Sequence, residues 1–189
     1  WFNSGTGVFM TDALLGEHPR YHDACAGIEE TVHLNVYAPV AGEAELIDIV
    51  GDLGGFAFCN LDEPCKNSFD DREGNRYITC INADISDADS NLGIVTARGN
   101  WKGKTKGGLV RTRDNFKTFE RISMPFGINA EIDRKLHEIE NPNVNAGWVA
   151  MSPDGTNIVW SVADGIRLPV ELVIISNDGG KNFQKAGVF

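Results

Sequence analysis

The stretch Gly51-Asp52-Leu53-Gly54-Gly55-Phe56 is where this sequence most plainly offers chemistry. Asp52 follows an apolar, strand-like segment, Leu46 to Val50, and precedes two glycines. A strand end holds a carboxyl rigidly, and glycines beside it leave room for another molecule to approach. Such a carboxyl is suited to acid–base work. Protonated, it donates to a leaving oxygen; ionised, it activates water. An acid working near neutral pH needs a raised pKa, which burial and a second carboxylate supply. The same pattern also describes an Asp in a tight turn with no chemistry, and the six residues alone leave both readings open.

Other residues have fewer uses. Trp101 lies in a polar loop, Arg98-Gly99-Asn100-Trp101-Lys102-Gly103-Lys104. An exposed ring there can stack on the apolar face of a sugar or simply pack the loop. Glu29 and Glu30 either support a site electrostatically or hydrogen-bond at a strand entrance. Trp148 and Trp160 sit in strand-like contexts and are expected in the core, and Lys102, Lys104 and Lys106 on a solvated loop face. The histidines His18, His22, His33 and His137 form no ligand-spaced pair, and Cys59 and Cys65 are too far apart in sequence for a zinc knuckle. Cys25, Cys59, Cys65 and Cys80 allow three disulfide pairings, and sequence does not choose among them. Neither a phosphate-binding loop nor a nucleophile elbow is present. No metal or cofactor is expected.

Charge narrows the partners. With 17 Lys+Arg against 27 Asp+Glu, the chain carries −10. Nucleic acids and anionic membrane surfaces are bound by clustered Lys and Arg, so both are excluded as expected partners. A neutral polysaccharide is compatible. No apolar run approaches the roughly 18 residues of a membrane span, and no signal peptide is visible at Trp1-Phe2-Asn3-Ser4-Gly5.

The elements that must position these residues read as short strands. Segments rich in β-branched and aromatic residues run Val32 to Tyr37, Leu46 to Val50, Tyr77 to Ile81, Gly93 to Ala97, Asn157 to Val162 and Leu172 to Ser176. Turn signals such as Asp154-Gly155, Asp164-Gly165 and Asp178-Gly179-Gly180 separate some of them. Ala130 to Glu140 has Ile132, Leu136 and Ile139 at helical spacing. Two segments repeat: Gly108 to Phe119, with Thr112, Asp114 and Thr118, and Leu172 to Phe183, with Ser176, Asp178 and Asn182. Each reads as a strand, an Asp-centred turn and a closing aromatic. This repeat resembles the Asp-box of sialidase-like β-propellers.

Gly27-Ile28-Glu29-Glu30-Thr31, an apolar strand ending at Pro39, Gly51 to Phe56, and Leu61-Asp62 follow in order. Together with Gly5 to Asp12, they resemble the start of the second propeller of glycoside hydrolase family 74, the xyloglucan-active endoglucanases and oligoxyloglucan reducing-end-specific cellobiohydrolases. The resemblance is densest over residues 5–62. It implies an all-β β-propeller of four-stranded antiparallel blades with Asp-box turns. At about 40–50 residues per blade, the 189 residues hold roughly three and a half to four blades, about half of a seven-bladed ring. Residues 1–189 are therefore expected to be part of a larger two-propeller, secreted, extracellular enzyme, the rest of which supplies the second catalytic Asp.

The resemblance makes Asp52 the general acid of an inverting hydrolysis of a β-1,4-glucan; Gly54, Gly55 and Phe56 beside it, and Trp101 from its polar loop, are the candidate sugar contacts. Inverting enzymes place their two carboxyls roughly 6.5–9.5 Å apart, around the attacking water. In the family, the base comes from a T-D-x-G-G element in the first propeller, and this chain has none. The chain also departs from the family after Phe56: Ala57-Phe58-Cys59-Asn60 stands where Arg-His-Asp is usual. A propeller that binds glycan or protein without catalysis is the alternative.

Overall fold

In a computed structural model of the chain, residues 1–4, 7–26, 31–71, 73–101, 105–162 and 172–187 are described. Glu29, Glu30, Lys102, Lys104 and the Asp164-Gly165 turn lie outside them. The chain divides into two units, Trp1–Val32 and His33–Phe189. In the first, β1 (Phe2–Ser4), β2 (Gly7–Met10) and β3 (His22–Asp23) form an antiparallel sheet. The Phe2 and Phe9 rings stack across it at 5.2 Å.

The second unit holds three consecutive four-stranded antiparallel meanders among its described residues. The first is β4 (His33–Tyr37), β5 (Leu46–Val50), β6 (Gly54–Phe58) and β7 (Asn67–Ser68). The second is β8 (Thr79–Ile85), β9 (Gly93–Arg98), β10 (Gly108–Thr112) and β11 (Glu120–Arg121). The third is β12 (Trp148–Met151), β13 (Ile158–Ser161), β14 (Val173–Ser176) and β15 (Gln184–Lys185). Among the described residues the chain is thus mostly sheet with one short helix, as the strand-like segments and the helical spacing of Ala130 to Glu140 lead one to expect. One pairing departs from the antiparallel expectation: Gly54 and Thr79 form a single parallel pair that joins the first two meanders. The backbones approach there because Gly54 has φ +81° and no Cβ; a Cβ would lie 2.5 Å from the Tyr77 carbonyl oxygen.

Buried apolar residues from strands and from the loops between them form two cores. Ile47, Ile49, Ala57, Phe69, Tyr77, Val95, Val110 and Phe116 belong to one, between the first and second meanders. Ile94, Leu109, Val149, Ile158, Trp160 and Ile174 belong to the other, between the second and third. Helix α1 (Ala130–Ile139) closes the second core with buried Ile132, Leu136 and Ile139, the spacing seen in the sequence. Its first turn is capped by the Asn129 side chain, which accepts from the Ile132 N–H at 2.9 Å. Trp148 corrects the sequence reading. It is 41% exposed, because it lies on the face of the third meander opposite Val149 and Trp160, and nothing among the described residues buries it.

The two Asp-centred turns match bond for bond. Phe116 N–H donates to Thr112 Oγ1 at 3.0 Å and Thr118 N–H to Asp114 Oδ1 at 2.9 Å. Gly180 N–H donates to Ser176 Oγ and Asn182 N–H to Asp178 Oδ1, both at 2.9 Å. Asn115 N–H reaches the Asn91 carbonyl at 3.2 Å as Gly179 N–H reaches that of Thr156 at 2.8 Å.

The first strands of the meanders are tied to one another by side chains. Asn35 Nδ2 donates to the Ile81 carbonyl at 3.1 Å, and Asn82 Nδ2 to the Tyr37 hydroxyl at 3.0 Å. Val149 N–H donates to Asn82 Oδ1 at 2.8 Å and Met151 N–H to Asp84 Oδ2 at 2.6 Å. The last two bonds satisfy strand donors that would otherwise face a neighbouring meander unpaired.

Candidate functional site

Asp52 sits in the hairpin loop between β5 and β6, where Val50 pairs with Gly54. Its backbone is left-handed, φ +62°. Asp adopts that region more readily than most residues, and strain of this kind concentrates at sites held firmly by their surroundings. Here the holding is visible. Asp52 N–H donates to Thr79 Oγ1 at 3.0 Å, and Gly55 N–H to the Leu53 carbonyl at 3.1 Å. The carboxylate itself is exposed. The described residues therefore leave it open to solvent.

The glycines do something other than make space for a sugar. Gly54 and Gly55 are buried. The Cβ positions are occupied by protein: a Cβ on Gly55 would lie 2.7 Å from the Phe69 ring, and one on Gly54 would meet Tyr77. Close packing beneath the loop is thus what requires glycine, and only backbone atoms at these positions are left for a ligand. Phe56 is half-buried, 6.3 Å from the Phe58 ring, and pairs across the sheet with Asp48 and Ser68.

Trp101 belongs to the same end of the sheet. Thr79, which holds the Asp52 N–H, pairs with Arg98 at the end of β9, and Trp101 follows three residues on. The indole is 57% exposed yet anchored: Nε1 donates to Asn143 Oδ1 at 2.9 Å, and the Arg98 guanidinium lies 5.9 Å from the ring centroid. Arg98 is itself held by the Pro142 carbonyl at 2.7 Å. Lys106, expected on a solvated face, is exposed but ion-paired with Glu140 at 3.3 Å.

Two features escaped the sequence reading. Thr79 positions the Asp52 loop from a separate strand, and no local pattern marks it. Asp48, on the strand leading to Asp52, is nearly buried and pairs with His33 Nδ1 at 2.8 Å. In the sequence, His33 stands out only as a possible metal ligand. Among the described residues no cluster of His, Cys, Asp or Glu could hold a metal ion.

A cavity of about 600 Å³ opens at the opposite ends of the strands. Arg111, Arg113, Asp154, Gly179, Gly180 and Lys181 are among its lining. Arg111 there is already committed, to Glu120 at 2.9 Å and to the Gly179 carbonyl at 2.9 Å. This cavity has no part in the Asp52 site; the strand ends that carry Asp52 point the other way.

No protein-family model and no curated protein matches the chain. Among solved structures, the crystal structure of a family 74 xyloglucanase from Xanthomonas campestris is similar, with a TM-score of 0.51 and 20% identity over 85% of this chain. A family 74 enzyme from Niastella koreensis aligns at TM-score 0.47 and 15% identity over 98% of this chain. The chain spans only 25% and 28% of those two proteins. What the first likeness shows is fold: the meanders described above are arranged as in part of that xyloglucanase.

Proposed function

We propose that this chain is an open arc of a β-propeller, roughly three and a half to four blades within a larger secreted glycoside hydrolase. The enzyme cleaves the β-1,4-glucan backbone of xyloglucan or a related plant polysaccharide with inversion. Asp52 is its general acid and protonates the leaving oxygen. The carboxylate that activates water, and the burial that keeps Asp52 protonated, come from sequence beyond this arc. Phe56 and Trp101 contact the sugar chain through apolar surface, and Gly54 and Gly55 through backbone alone.

The observation that carries this reading is the Asp52 loop: an exposed carboxylate on a left-handed residue, its backbone tied to Thr79 and its glycines packed on Phe69 and Tyr77. Preorganisation of this kind is what proton transfer requires. The test is hydrolysis of tamarind-type xyloglucan by the longer protein with Asp52→Asn. Rate should fall about 10²–10⁴-fold while binding persists, and the high-pH limb of the pH–rate profile should vanish. Hydrolysis at the unaltered rate would reject the assignment.

A second reading, a propeller that binds glycan or protein without catalysis, is favoured by one observation. The family's Arg-His-Asp is replaced here by Ala57-Phe58-Cys59, two of which are apolar. Tight xyloglucan binding with no turnover by the unaltered longer protein would establish it.

A further inference from the structure

We propose that Cys59 and Cys65 form a redox-active disulfide that clips the β6–β7 hairpin, an inference independent of any catalytic role for Asp52. Phe56 pairs with Ser68 and Ala57 with Asn67. The ladder ends at that second pair; carried two residues further toward the loop, the same register would set Cys59 opposite Cys65. Cross-strand neighbours in antiparallel sheets have Cα separations of about 4.5–5.5 Å, inside the roughly 4.4–6.8 Å that a disulfide spans. Two observations place the cysteines in the same part of the hairpin. Cys65 Sγ donates to the Ala57 carbonyl at 3.2 Å, and both cysteines line one cavity of about 160 Å³ with Ala57, Asn60, Glu63 and Pro64. The intervening turn is closed by Asp62 N–H on Asn60 Oδ1 at 2.9 Å.

The other two thiols are poor competitors. Cys80 is fully buried among the apolar residues between the first two meanders, and burial drives its thiol far above the usual range. The Cys25 thiol is also raised, first by its hydrogen bond with the Asp23 side chain. Fewer thiolates mean slower exchange. Cys59 is exposed and Cys65 partly so, which gives an oxidant access.

The oxidant is a small-molecule disulfide such as oxidised glutathione. The thiolate of one cysteine attacks it, forming a mixed disulfide and expelling one glutathione thiolate. The second cysteine's thiolate then attacks the protein sulfur and expels the other. Two protein thiols lose two protons and two electrons, and one glutathione disulfide becomes two thiols.

The test equilibrates the folded chain with a glutathione redox buffer, traps remaining thiols by alkylation and digests on the N-terminal side of Asp. That cleavage separates residues 52–61 from 62–69 and both from Cys25. The expected product is a linked pair of these two peptides, with Cys25 and Cys80 alkylated only after unfolding or as free thiols. Oxidation should also raise the melting temperature by about 5 °C, because the bond removes loop freedom from the unfolded chain. The Cys59→Ser and Cys65→Ser variants should each melt alike under oxidising and reducing buffers. Separate alkylation of both cysteines after oxidation, or a bond from either one to Cys25 or Cys80, overturns the proposal.

Discussion

At the scale of single residues, hydrogen bonds show which side chains hold the backbone in place and which exposed ones they hold. Trp101 is anchored by Asn143 and Arg98 while more than half exposed, and the proposed stacking on sugar needs a ring held in this way. Trp101→Ala should weaken oligosaccharide binding by about 1–3 kcal/mol, read by calorimetry; unchanged affinity would assign the ring to loop packing. Asp178 is a holding residue. The Asn182 N–H, the Asn182 side chain and the Ser176 hydroxyl depress its carboxyl to about 2. Asp114 moves the same way: burial opposes the shift, but hydrogen bonds from Thr118 and Thr112 outweigh it. A depressed folded-state pKa gives stability that is complete above the unfolded value, near 4, and is lost as pH falls through the folded one. Melting temperature should therefore decline between about pH 5 and pH 2, and Asp178→Asn should flatten part of that decline. An equal slope in the variant would contradict the assignment.

At the scale of elements, the two Asp-centred turns show how one backbone is built from different residues. Gly179 and Gly180 take φ +69° and +83° without strain; Asn115 and Phe116 take +57° and +63° in the other turn. A left-handed Phe costs about 1–2 kcal/mol, whereas burying its ring contributes about 2–3 kcal/mol. Burial wins: Phe116 is fully enclosed, 5.8 Å from Phe69 and 6.1 Å from Phe119. Phe116→Ala should cost about 3–5 kcal/mol in urea unfolding, and less than 1 kcal/mol would refute its role as a wedge between meanders.

Legibility in the sequence followed the range of the forces involved. Strand β5 falls at Leu46–Val50 as read, and α1 ends one residue short of its predicted end, because β-branched apolar runs and helical spacing are local signals. Strand β8 begins at Thr79 rather than Tyr77, since the Tyr77 N–H is drawn to the Phe69 carbonyl at 3.1 Å. Thr79 beneath Asp52, the packing that fills the glycine space, and the exposure of Trp148 depend on contacts between distant segments. None leaves a trace in local pattern.

Across the second unit as a whole, stability rests on bonds between meanders as well as on the apolar layers. Asn82 is the central link, joining the Tyr37 hydroxyl and the Val149 N–H from opposite sides. Asn82→Ala leaves a buried backbone donor unpaired and should cost about 1–3 kcal/mol, measured by denaturant unfolding. A neutral result would mean that water replaces the side chain. The exposed Trp148 and Val159 lie on the outer face of the third meander, where the proposed next blade would pack.

The central claim is that Asp52 donates a proton to the leaving group, and one comparison tests it most directly. Asp52→Asn in the longer protein is assayed on xyloglucan oligosaccharides and on an aryl glycoside whose phenolate departs without protonation. Removing a general acid slows only the substrate that needs the proton. If Asp52 protonates the leaving oxygen, the variant should lose about 10²–10⁴-fold on the natural substrate and change no more than a few-fold on the activated one. Equal losses on both would make Asp52 a positioning residue, and no loss on either would remove it from the reaction.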